Sequence, residues 1–361
     1  MTTTHLPTDF DDPQALARWR DAYLAVRQRG ERQREAAHAM RVCEAQAVAA
    51  FVGVHAVRLR PDFMNLIAQL PRLGPVLTLT RNEAAVHEKE GRFERVSEED
   101  QVGLVLGSAI DLRVFHRVWG FAFAVREPAA DGERKSLQFF DTRGQAVFKV
   151  YLRPRSDHAA YDALATEWAV PQRSARLNLA PAAPAEDRPS DDAVDVTGLR
   201  AAWDAMNDVH DFFPLLRRFQ LARTQALRLA GPDYAIRVER DSIGTVLRQA
   251  ARDALPIMVF VGNPGMIQIH TGPVQKIHTV GSWLNVLDDD FNLHLQTALV
   301  DSVWVVKKPT REGIVTSVEL FDKAGENIAL LFGARKPGTP ELPGWRSLAG
   351  SLPPESEEAR A

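Results

Sequence analysis

Trp203, Met206, His210 and Phe213 are spaced three, four and three residues apart. On a helix starting near Leu199 they would share one face. An imidazole inside an aromatic and thioether stripe can do two things. It can sit in a core with both ring nitrogens satisfied by neighbours, which is the stronger reading from this helix alone. It can also be the axial ligand of a flat apolar cofactor lying against the stripe, its second nitrogen held by an acceptor. Pro214 lacks an N–H and its ring clashes with the carbonyl of His210 in a regular helix. The spacing therefore predicts a kink or stop just after His210, with the histidine in a last turn beside a cleft. If Pro214 instead opens a new short turn, that placement changes.

The other clusters that could carry chemistry match no standard site. His270, His278 and His294 with Asp288, Asp289 and Asp290 fit no metal spacing, and the acidic run reads as a solvated turn. His87-Glu88 lacks the second histidine of a zinc helix, since Gly91 stands there. There is no phosphate loop, nucleophile elbow or dinucleotide fingerprint.

The elements that must position these residues are written twice. Phe140, Asp141 and Gly144 recur as Phe321, Asp322 and Gly325, 181 residues on. The same spacing relates Asn82 to Asn263, Gly91 to Gly272, Leu112 to Leu293 and Pro128 to Pro309. Two tandem units of one fold follow. In the first, Val118–Val125, Ser136–Phe140 and Ala146–Leu152 read as strands, with Asp141-Thr-Arg-Gly144 as a hairpin turn. The second repeats this with Ser302–Val306, Ile314–Leu320, Asp322-Lys-Ala-Gly325 and Ile328–Phe332. Asp12-Pro13 reads as a cap opening a helix over Gln14–Arg29, and Thr197 as the cap of a helix near Leu199. Helices first and then an antiparallel sheet argue for α+β.

The expected domains are a first unit over 13–170, a Pro-rich linker over 171–195, a second unit over 196–338 and a loosely packed tail over 339–361. The linker holds prolines 171, 181, 184 and 189.

Composition narrows the function classes. The chain has 361 residues, 45% hydrophobic and 25% charged, with net charge −3, so no electrostatic footprint points to nucleic acid or to a membrane surface. A single cysteine, Cys43, excludes an intrachain disulfide, a four-cysteine zinc site and covalent c-type haem attachment. No apolar run spans a bilayer, and Met1–Asp12 lacks the apolar stretch of a signal peptide. A reducing cytoplasm is the compartment this implies.

Several motifs carry a resemblance. Thr80-Arg-Asn-Glu83 with Val86-His-Glu-Lys89, Asp111-Leu-Arg-Val-Phe115, Leu137-Gln-Phe-Phe-Asp141, Asp208-Val-His-Asp-Phe-Phe-Pro-Leu-Leu-Arg-Arg218, Gln225-Ala-Leu-Arg-Leu-Ala-Gly231, His270-Thr-Gly-Pro273 and Trp283-Leu-Asn-Val-Leu-Asp-Asp289 follow one another along the two repeats. Together they resemble the hemin-degrading or cytoplasmic hemin-transport family (HemS/ChuS/PhuS/HmuS-like), from about Leu16 to Gly338.

The resemblance implies a tandem α+β fold with haem in a cleft between the halves. It implies His210 as the iron ligand and Arg113 on the opposite haem face, a catalytic residue if the protein is an oxygenase. Phe115 and Phe260 would be pocket aromatics, and Arg223, Lys308 and Arg335 would meet the propionates. Haem b (hemin) would be ligand or substrate, in iron acquisition by carriage after import, by degradation, or both. A haem oxygenase or the cytoplasmic side of a haem importer would be the partner, with no nucleic acid and no stable membrane insertion. A haem-independent ligand-binding or structural protein with a degenerate site is the alternative. The sequence departs from the family in three places. His210 has no neighbouring histidine, Pro214 follows the Phe pair where a small residue is usual, and Ile328–Phe332 lacks the tyrosine some members carry.

Overall fold

A computed structural model describes residues 12–129, 132–171, 174–182, 187–336 and 338–356. Met1–Asp11, Pro184 in the expected linker and the charged end after Ser356 lie outside the described residues. The chain divides into two compact units. The first takes residues up to Arg81, Lys89–Ala183 and the short stretch Asn263–Ile267; the second takes Asn82–Glu88, Pro184–Gly262 and Gln268 onward.

The first unit opens with helices α1 (Pro13–Gln28), α2 (Gln33–Ala39) and α3 (Glu44–Ala49). Asp12 caps α1, its carboxylate accepting the N–H groups of Gln14 and Ala15, with Pro13 at the first position as the sequence implied. Strand β1 (Ala56–Leu59), helix α4 (Phe63–Ile67) and strands β2 (Val76–Arg81) and β3 (Ala85–Gly91) follow. Then come β4 (Arg95–Glu99), β5 (Val102–Leu106), β6 (Asp111–Val114), β7 (Trp119–Ala129), β8 (Gly132–Asp141) and β9 (Ala146–Leu152), before α5 (His158–Glu167).

In this unit β1, β7, β8, β9 and β2 pair antiparallel in that order, and β4, β5 and β6 form a meander. The sheet buries Leu137, Phe139 and Val150 on one face and Phe123 and Phe140 on the other, against helices at each side. That is the alternation of a strand covered on both faces.

The second unit repeats the plan. Helices α6 (Val196–Asp204), α7 (Phe212–Phe219) and α8 (Arg223–Ala230) precede β10 (Ala235–Val238) and α9 (Ser242–Arg252). Strands β11 (Ile257–Asn263), β12 (Met266–Gly272), β13 (Ile277–Val280), β14 (Trp283–Leu287), β15 (Phe291–Gln296), β16 (Ser302–Thr310), β17 (Gly313–Phe321) and β18 (Asn327–Gly333) follow, then α10 (Pro343–Gly350). Here β10, β16, β17, β18 and β11 pair antiparallel, and β13, β14 and β15 form the meander.

The duplication reaches single hydrogen bonds. Asn82 Nδ2 donates to the carbonyls of Gly262 and Ile328, and Asn263 Nδ2 to those of Arg81 and Val147. Asn82 Oδ1 accepts the N–H of Ala84, and Asn263 Oδ1 that of Gly265. Both hairpin turns close alike, Asp141 and Asp322 each accepting the N–H four residues on, with Gly144 and Gly325 at φ of 82° and 80°.

Three expectations need correction. Asp195, not Thr197, caps α6: its carboxylate, two residues before Thr197, accepts the N–H of Gly198. The stretch read as a loose tail carries α10, whose Trp345 is fully buried and donates Nε1–H to the Thr316 carbonyl. Part of the expected linker is packed as well: Ala175 is buried, and Leu177 and Leu179 rest against the first unit's core. No helix among the described residues is long and apolar enough to cross a membrane.

Candidate functional site

His210 does not sit in the last turn of a helix. Helix α6 ends at Asp204, and His210 lies in a single 3-10 turn, Val209–Asp211, just before α7. The cause is local. Asp208 accepts the backbone N–H of His210 at 2.8 Å, while Asp211 accepts the N–H groups of Asn207 and Asp208 at 2.9 and 3.0 Å. Short acidic side chains that bond nearby N–H groups compete with a continuing helix and win here. Pro214 is then the third residue of α7, where its missing N–H costs nothing.

The turn holds the imidazole outward; the His210 side chain is 88% exposed. Its Nδ1 lies 2.5 Å from Asp208 Oδ1. The backbone N–H of His210 bonding to Asp208 lowers the Asp208 carboxyl from its usual range, helped by the imidazole and by the nearby Arg335 guanidinium. An ionised carboxylate only accepts, so Nδ1 donates in this contact and Nε2 is the ring nitrogen left facing solvent. Sequence reasoning named His210 but missed Asp208 as its partner; an aspartate at the cap position, two residues earlier, was the available signal.

The same turn leads into two phenylalanines with opposite fates. Phe212 is buried edge-on to Trp203, ring centroids 4.8 Å apart, whereas Phe213 is 57% exposed. The Arg223 guanidinium lies 5.1 Å from the Phe212 ring centre and 5.7 Å from that of Phe213. Lys308 Nζ lies 4.7 Å from the Phe212 ring centre.

Below these rings is a buried ionic cluster. Arg223 donates Nε–H and Nη2–H to the two oxygens of Glu319 at 2.8 and 2.9 Å. Lys308 Nζ donates to Glu319 Oε1 at 2.6 Å, and Ser317 Oγ to the same oxygen at 2.7 Å. Burial alone would raise the Glu319 carboxyl, but Arg223 and Lys308 overcome it and hold it far below the usual range. Burial pushes the Lys308 ammonium down to about 8, against the pull of Glu319. Lys308, which the family resemblance assigns to a propionate, is enclosed and already answered by Glu319. Arg223 is largely committed in the same way. Sequence reasoning missed Glu319, an inward carboxylate on β17 two residues after Ser317.

Arg335 differs. It is half-buried, and its Nη1 is enclosed without a hydrogen-bond partner. Phe260, half-buried on β11, packs edge-to-face on Phe332 at 5.2 Å. In the first unit Arg113 and Phe115 sit on and just after β6. Arg113 Nη1 is paired with the Asp111 carboxylate, two residues away on the same strand face. The N–H of Phe115 donates to the Gly265 carbonyl. The other histidines are separate: His270 stacks on Phe291 at 3.9 Å, His87 packs on the same ring at 4.9 Å, and His294 Nδ1 meets Asn285 Oδ1 at 2.7 Å.

Fold and site together define a duplicated α+β protein whose second unit presents an exposed imidazole, held through its Nδ1 and followed by an exposed aromatic ring. The haemin-degrading HemS/ChuX domain model matches residues 41–168 and 220–352, one segment in each sequence repeat, and the chain belongs to that family. It is 41% identical over 327 residues to the hemin transport protein HmuS of Yersinia pestis, covering 90% of this chain and 93% of that one. Among solved structures it is similar to holo-PhuS, a heme-binding protein from Pseudomonas aeruginosa, with 43% identity, a TM-score of 0.92 and coverage of 94% and 99%. It is also similar to the heme-degrading enzyme ChuS of Escherichia coli O157:H7, with 37% identity, a TM-score of 0.87 and coverage of 94% and 100%.

Proposed function

We propose that this protein binds haem in haem-iron uptake, with Nε2 of His210 as the axial ligand to iron. The observation that carries the reading is the exposed imidazole whose Nδ1–H is already committed to Asp208. Histidines that bind metals are commonly fixed in this way, which settles the tautomer and strengthens the donor nitrogen. The surrounding residues fit the cofactor: Phe213 offers an exposed apolar face, and the unsatisfied Nη1 of Arg335 suits a propionate carboxylate. Arg223 and Lys308 act indirectly, holding Phe212 and hence the histidine turn over the Glu319 cluster. Phe115 and Phe260 are the pocket aromatics that the family resemblance implies, and Arg113 is the residue it assigns to the opposite haem face. Bound haem supplies a redox-active, Lewis-acidic iron, as cargo or as substrate. We place the protein in the cytoplasm, exchanging haem with an importer's inner side or with a haem oxygenase.

Titration of hemin into the purified protein, followed at the Soret band, tests this. Wild type should saturate at one equivalent, and His210→Ala should lose or shift the band. No band in wild type would leave a haem-independent protein. With an electron donor and catalase present, loss of the band to a defined bile pigment marks degradation, and a persistent band marks carriage.

A further inference from the structure

The two units treat one equivalent surface differently. In the first, the stretch Ala175–Ala180 runs extended across the β8–β9 hairpin turn and β1. Its side chains alternate: Ala175, Leu177 and Leu179 face the core, while Arg176, Asn178 and Ala180 face out. The Ala180 N–H donates to the Thr142 carbonyl at 2.8 Å, and Arg58 Nη1 to that of Arg176 at 3.3 Å. Leu179 packs on Gly144, its Cδ2 lying 3.2 Å from where a Cβ of that glycine would be. The chain thus fills its own groove with a strand-like segment.

The second unit has the counterpart groove. Arg58 is paired across the sheet with Phe123, and Arg237 with Trp304. The turn Asp141–Gly144 corresponds to Asp322–Gly325, so Lys323 stands where Thr142 does and Gly325 where Gly144 does. At this place the second unit has an open cavity of about 530 Å³, lined among others by Thr224, Arg237, Ser302, Trp304, Lys323 and Gly325. Ser302 replaces the larger Phe121 of the first unit, which widens the floor. Lys323 is exposed at the lip, beside the position equivalent to Ala180.

We propose that this groove is a docking site for an extended segment of a partner protein. The segment carries aliphatic side chains at two alternate positions, seated as Leu177 and Leu179 are in the first unit, and an acidic residue next to Lys323. The first unit supplies the template for the backbone and the aliphatic positions, and the charge of Lys323 supplies the preference at the end. The inference does not depend on haem binding.

The probe is a fluorescein-labelled peptide with the sequence of residues 174–180, titrated with the full chain and read by anisotropy. Saturable binding is expected. Leu179→Asp in the peptide should weaken it at least about tenfold, since an aliphatic side chain would no longer be buried. Ala180→Asp should tighten it a few-fold at low salt, and that gain should vanish in the Lys323→Glu protein. Thr224→Trp and Ser302→Phe fill the groove from two sides, and each should abolish binding while leaving thermal unfolding near that of wild type. No saturable binding, equal binding of the Leu179→Asp peptide, or unchanged binding by both groove-filled proteins would overturn the proposal. So would binding that appears only after removal of residues 357–361, which would make the occupant this chain itself. A wild-type dimer dissociated by Thr224→Trp would equally overturn it, by assigning the groove to a second copy.

Discussion

Replacing Glu319 by glutamine tests whether the buried cluster beneath the histidine turn is a structural necessity. The side chain is fully buried and answers two cations, one bidentate and one nearly fully enclosed. An amide of the same shape fits, because Gln138 holds the equivalent position in the first unit, bonded to Gln33 and Ser136. The substitution removes charge without volume and leaves Arg223 and Lys308 facing each other. Breaking a buried pair from one side costs about 3–5 kcal/mol. For a unit of this size that is on the order of 10 °C in unfolding temperature. Lys308→Met should cost far less, about 1 kcal/mol, because Glu319 keeps its two bonds to Arg223 and a buried ammonium is removed. The double variant should recover much of the Glu319→Gln loss, a coupling that a double-mutant cycle in urea measures. The pH sign follows from the carboxyl. Its folded value lies below its ordinary 4.5, so its stabilisation is complete above that pH and fades as the pH falls below it. The gap between wild type and Glu319→Gln must therefore close in acid. An unchanged unfolding midpoint for Glu319→Gln, or a Lys308→Met loss as large, would refute the reasoning.

On the ligation proposed above, Asp208→Asn should keep haem on His210 but weaken the push on the ring. The Fe(III)/Fe(II) midpoint should then rise, and spectroelectrochemistry giving an equal midpoint would reduce Asp208 to a helix cap. Glu44, buried between Lys149 and Arg81, is held near pH 2 by those cations despite its burial. It should contribute about 3 kcal/mol above pH 4.5, lost as the pH falls toward 2, and Glu44→Gln should remove that acid dependence in chemical denaturation. Asn82→Ala and Asn263→Ala each strand two main-chain carbonyls. Each should cost about 1–3 kcal/mol in the same assay, and a neutral result at either would deny the matched roles of the pair.

The duplication was legible because its markers are local. Asp141 and Gly144 make a hairpin turn wherever they occur, and so do Asp322 and Gly325, so neither needs the rest of the fold to be recognised. His210 was legible as a residue but not as a geometry. The three-four-three spacing suggested a continuous helix, whereas the capping bonds of Asp208 and Asp211 break it one turn earlier. Glu319 was hidden because its meaning depends on register: Arg223 lies 96 residues away and Lys308 one strand over. Proline content in the linker masked the alternation of Ala175, Leu177 and Leu179, which is itself a strand signal.

The pentapeptide Asn263–Ile267 belongs to the first unit although it is encoded deep within the second repeat. It gives Trp119 Nε1 its acceptor at Gly265, and Arg81 and Val147 their donor at Asn263. Asn82–Glu88 is lent in the other direction. A gene split in the proline-rich stretch would thus yield halves that each carry a fragment meant for the other and lack one they need. What began as a tandem copy has become a single inheritance, divisible on paper at the linker but not in the folded chain.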